Sequence, residues 1–297
     1  MKYAYYPGCS LESTAWDFDK STRAVCAALG IELQEIPDWV CCGSTPAHTS
    51  NASLAVALPT MNLQKAQAMN LPVMTACASC YARLRTANHK IENDPQERER
   101  TRRITEKDYD GSTPVRHVLD VLVNDFGLDA IRAKIQRPLE GLRVASYYGC
   151  LLTRPPEVVA FDNPEQPSCM DELLAAAGAK PVEWPYKTEC CGASLSMTNT
   201  HVVSRLGHKL LSMATRAGAQ CIAVACPLCQ VNLDLRQGDA KKAHGDLPET
   251  PALYVTQLLG LALGLSAEEL GIGALSVNAD SLLNEYAGVS SAPGGTA

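Results

Sequence analysis

Phenylalanine is nearly absent, with three residues in a chain of 297. A core must be built mainly from Ala, Val and Leu, and an apolar share of 46% lets each half of the chain bury one. Positive charge is also short. A formal net charge of −6 disfavours nucleic acid as a partner, since phosphate binding wants a basic face. Long apolar runs are missing, and none approaches the ~18 residues that a membrane span needs. The opening MKYAYYPGC lacks the basic stretch and apolar run of a secretory leader. These absences predict a cytoplasmic protein without a membrane span. In a reducing compartment the thirteen cysteines are not a disulfide framework; clustered thiols there bind metal or do redox work.

Ten of those cysteines form two matching sets. The first is Cys9, Cys41, Cys42, Cys77 and Cys80; the second is Cys150, Cys190, Cys191, Cys226 and Cys229. Each set reads as one Cys, a long gap, Cys-Cys-Gly, a second long gap, then C-x-x-C. The first gap is 31 residues in one set and 39 in the other, and the second is 34 in both. The flanks repeat as well: YYPGC answers YYGC, CCGST answers CCGAS, and TACASC answers VACPLC. TPVRHVLDVL from Thr113 answers TPALYVTQLL from Thr250. A duplicated supersecondary unit is the simplest physical reading.

Short β-prone runs precede the cysteine elements: KYAYY, IELQEI and LPVMTA in the first half, RVASYY, AKPVEW and CIAVA in the second. Helical patterns lie between them. The alternation predicts an α/β fold of two similar pseudo-repeated domains, each a mostly parallel open sheet with covering helices. Cysteines that follow strands then gather at the carboxyl edge, where open α/β sheets bind ligands. The expected boundaries are 1–138 and 139–272, with KIQRPLEG around Pro138 as the linker and 273–297 as a flexible tail ending in SSAPGGTA. The charged stretch from Glu92 to Asp110 reads as a solvated insertion in the first half.

Thiolates are the usual ligands of iron–sulfur clusters, and C-x-x-C lets two sulfurs reach one centre from a turn. A helix is expected after each C-x-x-C, and its N-terminus suits an anionic group. Adjacent residues in extended chain point to opposite faces, so the Cys-Cys pair needs a turn, which Gly43 and Gly192 permit. Structural zinc wants four ligands, and five recurring cysteines over-supply it. A thioredoxin-type motif does not explain a ten-cysteine duplication. Cys26 and Cys221 sit in apolar patterns and read as core residues; Cys169 has no role in this reading.

These two five-cysteine sets resemble the cysteine-rich domain repeated in the B subunit of heterodisulfide reductase and its relatives, over roughly Met1 to Leu265. The resemblance implies two noncubane [4Fe–4S] clusters, one on Cys9, Cys41, Cys42, Cys77 and Cys80, the other on Cys150, Cys190, Cys191, Cys226 and Cys229. It further implies a disulfide, thiol or protein-bound sulfur substrate held between them, each iron site taking one sulfur. Electrons would pass through a small ferredoxin-type iron–sulfur subunit and a flavin subunit. The chain itself has neither the ferredoxin run C-x-x-C-x-x-C-x-x-x-C nor a Gly-rich dinucleotide fingerprint. STPAHTS and ASLSMTN, which follow the two Cys-Cys-Gly units, look more like the heterodisulfide-reductase-like proteins of sulfur-oxidising bacteria than like the methanogen enzyme. Two other classes stay open: an electron relay to a quinone or another oxidoreductase, and a zinc-stabilised interaction module.

Four further residues are candidates to line the cleft. His48 and His201 follow the two Cys-Cys-Gly loops, Arg154 follows Cys150, and Lys187 precedes Cys190. Each can balance negative charge or give a proton to a leaving thiolate, although an exposed side chain is the simpler reading of each. Arg83 and Arg85 are expected to be solvated or to face a partner. The chemistry itself is assigned to cluster iron rather than to a catalytic side chain.

Overall fold

A computed structural model of the chain describes residues 1–44 and 46–288. In the first half the strands are β1 (Lys2–Tyr5), β2 (Glu32–Glu35), β3 (Val73–Thr75) and β4 (Val115–His117), ordered β2-β1-β3-β4 and all parallel. The second half repeats this with β5 (Arg143–Tyr147), β6 (Lys180–Pro181), β7 (Cys221–Val224) and β8 (Ala252–Tyr254), ordered β6-β5-β7-β8. Equivalent strands therefore hold equivalent places. The central β3 and β7 are buried at every residue, as expected of parallel strands covered on both faces. β4 and β8 arise from the matched Thr-Pro elements, which the sequence reading paired without seeing them as strands. Each is only three residues long, too short for alternation to show.

The helices are α1 (Trp16–Leu29), α2 (Leu54–Met69), α3 (Ala78–Asn93), α4 (Pro95–Thr105) and α5 (Leu128–Arg132) in the first half. The second half has α6 (Cys169–Ala176), α7 (Thr200–Arg216), α8 (Pro227–Leu233), α9 (Gln237–His244) and α10 (Val255–Ala262). The charged insertion is the helix α4. Asp94 caps it through the amides of Gln96 and Glu97, and it pairs its own charges, Arg102 and Arg103 with Glu99 and Arg100 with Glu97. Its Glu97–Thr101 side is buried against the rest of the half.

The two halves interlock. After β4 the chain runs through Val118–Asp120, a π-helical Val121–Gly127 and α5, and packs on α6 of the second half. After β8, α10 packs on α1 of the first half. There Phe18 stacks on Tyr254 with ring centroids 3.9 Å apart, and the Ser21 and Thr256 hydroxyls meet at 2.8 Å. One contiguous buried cluster spans both halves. The linker is fixed too: the amides of Gln136 and Arg137 donate to the Ala262 carbonyl, and that of Leu139 to Ala177.

Residues 273–288 differ from the flexible tail expected. Asp234 accepts hydrogen bonds from the amides of Ser276 and Val277, Tyr286 accepts one from Gln220, and Leu282 and Leu283 are buried. Local composition hid this, because the tail is anchored by groups distant in sequence. SSAPGGTA lies outside the described residues. Among the described residues no helix is long and apolar enough to cross a membrane.

Candidate metal centre

Each cysteine of the repeat lies beyond the carboxyl end of a strand. Cys9 follows β1, Cys41 and Cys42 follow β2, and Cys77 follows β3 as the N-cap of α3. Cys150, the pair Cys190 and Cys191, and Cys226 at the N-cap of α8 repeat the arrangement. The short parallel strands thus bring thiols more than thirty residues apart to one edge. Gly43 and Gly192 have φ of +71° and +80°, the turn that the Cys-Cys pair requires.

The sulfurs form a chain of neighbours. Cys9 and Cys41 are 3.6 Å apart, Cys42 and Cys80 3.5 Å, and Cys191 and Cys229 3.5 Å. Cys150 and Cys190 shift each other's ionisation and are neighbours too. Cys77 and Cys226 shift each other's ionisation, so the two sets are neighbours at these thiols. Among the described residues no three of His, Cys, Asp and Glu surround one point as ligands of a single ion would; the thiols are strung out instead.

The electrostatics favour ionised sulfur at selected places. Hydrogen bonds with Cys42 and Cys9 lower Cys41 to about 2, and the bond with Cys150 lowers Cys190 to about 6. Hydrogen bonds from Cys229 and Cys77 also hold Cys226 well below the ordinary thiol value. Their partners Cys9 and Cys150 are pushed up. A low-pKa thiol in a polar, partly exposed setting is a metal ligand or a reactive group. Cys26 and Cys221 are the opposite case: buried, and raised to about 12 by desolvation alone or nearly so. Cys169 opens α6, buried, with its amide donating to Asp162.

The residues fit an iron–sulfur group. A Cβ at Gly8 would stand 3.0 Å from the Cys80 sulfur, and one at Gly149 would stand 3.2 Å from that of Cys229. Both glycines have positive φ, +72° and +67°, so backbone passes where a side chain would intrude on the thiols. Five thiols in each set supply the soft anionic donors that iron–sulfur groups use.

The sequence reading missed a pair of tyrosines. The Tyr6 hydroxyl donates to the carbonyl of Val40 at 2.8 Å, and the Tyr147 hydroxyl to that of Glu189 at 2.6 Å. Each tyrosine stands three residues before the first cysteine of its set and pins the residue before Cys-Cys. The repeated flanks YYPGC and YYGC contained the signal, but nothing in them tells which residue the hydroxyl reaches. Asn62 adds a second clamp in the first half, bonding both the amide and the carbonyl of Val40.

The four candidate cleft residues are less concentrated. Lys187 is committed to Asp171 at 3.0 Å, and Asp171 also accepts from Tyr148. Arg154 pairs with Glu165 at 3.1 Å and reaches the Thr188 hydroxyl. His48 is exposed on the short helix Pro46–Ser50. His201 is exposed at the start of α7, its ring 5.5 Å from that of His244. Arg85 is not simply solvated: its guanidinium donates to the Val158 carbonyl and bridges the halves. Arg83 is partly buried on α3, one turn beyond Cys80.

Comparison with known proteins agrees with the duplication. The cysteine-rich domain family CCG matches residues 3–85 and again residues 144–234. The "8-methylmenaquinol:fumarate reductase membrane anchor subunit" of Wolinella succinogenes is 32% identical over 95% of this chain and 99% of its own length. The B subunit of the ferredoxin/F(420)H(2)-dependent CoB-CoM heterodisulfide reductase of Methanosarcina acetivorans is 32% identical over 91% of this chain and 92% of its own. Among solved structures, a hypothetical protein from Helicobacter pylori superposes with a TM-score of 0.74 at 12% identity. It covers 93% of this chain, which spans about half (52%) of that protein; this likeness speaks to fold alone.

Proposed function

Because this chain belongs to the cysteine-rich CCG family, in two copies, and to the relatives of the heterodisulfide reductase B subunit, we propose that it is the iron–sulfur subunit of a heterodisulfide-reductase-like complex that breaks or forms disulfide or sulfane-sulfur bonds. The nearness of the two thiol sets at Cys77 and Cys226, each of which shifts the other's ionisation, carries the reading. Two neighbouring sites can each deal with one half of a disulfide.

In this reading Cys9, Cys41, Cys42, Cys77 and Cys80 hold one noncubane [4Fe–4S] group, and Cys150, Cys190, Cys191, Cys226 and Cys229 hold the other. When bound, these groups supply one-electron exchange and iron that accepts sulfur. The polypeptide does the rest. Tyr6 and Tyr147 fix the Cys-Cys loops, Gly8 and Gly149 keep the approach clear, and the helix N-termini at Cys77 and Cys226 favour negative charge. Electrons are exchanged with a ferredoxin-type subunit and, behind it, a flavin subunit, since this chain has no motif for either group. A role in sulfur oxidation in the cytoplasm accords with the loops after Cys-Cys-Gly.

The test is spectroscopic. The purified complex is expected to contain iron and acid-labile sulfide, and its paramagnetic spectrum to change when a thiol or disulfide is added. Zinc without iron would end the reading. Iron with a spectrum indifferent to thiols and disulfides would favour a second reading, an electron relay to a quinone or another oxidoreductase. The similarity to the subunit named for menaquinol:fumarate reduction supports that second reading.

A further inference from the structure

Three of the chain's six histidines stand together outside the two thiol sets. His201 and His208 lie two turns apart along one face of α7. His244 is the last residue of α9. The two helices pack on each other, and the Ser204 hydroxyl donates to the Asp239 carbonyl at 3.4 Å between them. The His244 ring stands near both of the others, its centroid 5.5 Å from that of His201 and 5.7 Å from that of His208. The rings cross at 63° and 57° rather than stacking. The Nε2 atoms of His208 and His244 are both buried, and among the described residues neither has a hydrogen-bond partner. Buried polar atoms are almost always paired, so two such nitrogens on adjoining rings call for a partner they can share. A metal ion is one that neutral imidazoles share well.

We infer that His208 and His244 form the inner pair of a binding site for a divalent transition cation of the zinc or nickel type, with His201 as its third ligand. Zinc–nitrogen bonds of about 2.0–2.1 Å set the centroids of two imidazoles on one ion roughly 5–6 Å apart. Both ring separations fall in that range. As the rings stand, the three do not surround one point. His201 is exposed at the start of α7, so a turn of its side chain closes the site, and water takes the remaining position. Imidazole donors select zinc, nickel or copper, whereas magnesium and calcium take oxygen ligands. Arg205, one turn from His201 on α7, is exposed and stays in solvent.

The site belongs to the second half alone. α7 answers α2 in the repeat, and α2 carries no histidine. Its place suggests what an ion there does. α7 leads on from the Cys190–Cys191 loop, and α9 follows α8, the helix that carries Cys229 and is capped by Cys226. An ion held by both helices braces the two segments that supply four of the five thiols of the second set. The inference stands on the histidines and does not depend on what those thiols hold.

The experiment is a zinc titration of the purified full-length protein beside His201→Gln, His208→Gln and His244→Gln, with calorimetry for affinity and X-ray absorption for the ligands. Zinc has no redox chemistry of its own and leaves an iron–sulfur group in its oxidation state. Absorption separates imidazole nitrogen, at about 2.0–2.1 Å, from thiolate sulfur, at about 2.3 Å. Any zinc on the thiols is common to all four proteins and cancels in the comparison. The parent should bind one zinc per chain through nitrogen that His244→Gln does not. His208→Gln should bind it at least about 10–100-fold more weakly, the loss that even outer partners of a metal site produce, and His201→Gln about tenfold more weakly. Circular dichroism checks that the variants fold. Zinc held through sulfur alone in the parent overturns the inference. So does nitrogen-bound zinc of equal affinity in all four proteins, which is an adventitious ion only. Should the two inner variants fold poorly, the exposed His201→Gln decides, and an affinity equal to the parent's overturns the three-histidine site.

Discussion

Tyr6 and Gly8 stand within three residues of Cys9 and do different work beside it. The tyrosine ties the Cys-Cys loop to the end of β1 through one hydrogen bond, worth about 1 kcal/mol when buried. The glycine leaves room for the Cys80 sulfur. Tyr6→Phe should therefore retain iron but release it faster to a chelator, whereas Gly8→Ala should fail to load the first set while the second loads. Iron and sulfide content after reconstitution checks both. At Asp17 the protein carries a cost that pH reveals. Burial raises its carboxyl from the usual 3.8 to about 6, against the hydrogen bonds it accepts, including that from Gln257. The folded chain thus holds this proton up to about pH 6 and the unfolded chain only to 3.8. The penalty is absent below 3.8, grows between the two values and is complete above 6. Asp17→Asn should raise the thermal midpoint at pH 8, by at most about 3 kcal/mol of stability, with the gain shrinking towards pH 5. A gain that does not depend on pH would contradict this account. The sequence named all ten thiols through their repetition; the tyrosine hydroxyls and the Asp17 burial were not legible, because each depends on a partner dozens or hundreds of residues away.

Elements decide how far one set can be damaged without the other. The repeat suggests that each cradle is self-contained, and among the described residues the thiol neighbours of Cys41 are Cys9 and Cys42 of its own set. Cys41→Ala should lose the first group and keep most of the second. Cys77 and Cys226, at the N-termini of α3 and α8, are the exception, since each shifts the other's ionisation. Cys77→Ala should perturb the spectrum of the second group as well, which resonance on the two variants side by side will show. The strands before the cysteines were readable from β-prone runs, but β4 and β8 were hidden by their length. The charged insertion was readable as solvated, yet its Asp94 cap and (i,i+3) and (i,i+4) pairs make it a helix.

At the scale of the whole molecule, the two duplicated halves share a core through helices that cross between them. α10 lies on α1 and the α5 region lies on α6, so each half is covered by the other's last helices. A fragment ending at residue 138 would expose the Phe18 side of α1 that Tyr254 covers. It should therefore be insoluble or poorly folded alone and recover structure when co-expressed with 139–297; circular dichroism and co-purification test this. A fragment that folds cooperatively by itself would show that the shared core is dispensable.

The sequence by itself determined the two sets of thiols, their order, the parallel α/β alternation and the strand ends at which the cysteines lie, because these follow from local pattern and from repetition. Only the tertiary structure decided that the sets are neighbours at Cys77 and Cys226, that two tyrosines clamp the loops, that Lys187 and Arg154 are already paired, and that Ser276, Val277 and Tyr286 are tied down by Asp234 and Gln220. The physical reason is the same in each case. These contacts join residues that the chain keeps far apart, and packing two twisted sheets through exchanged helices brings them together in a way that no local periodicity encodes.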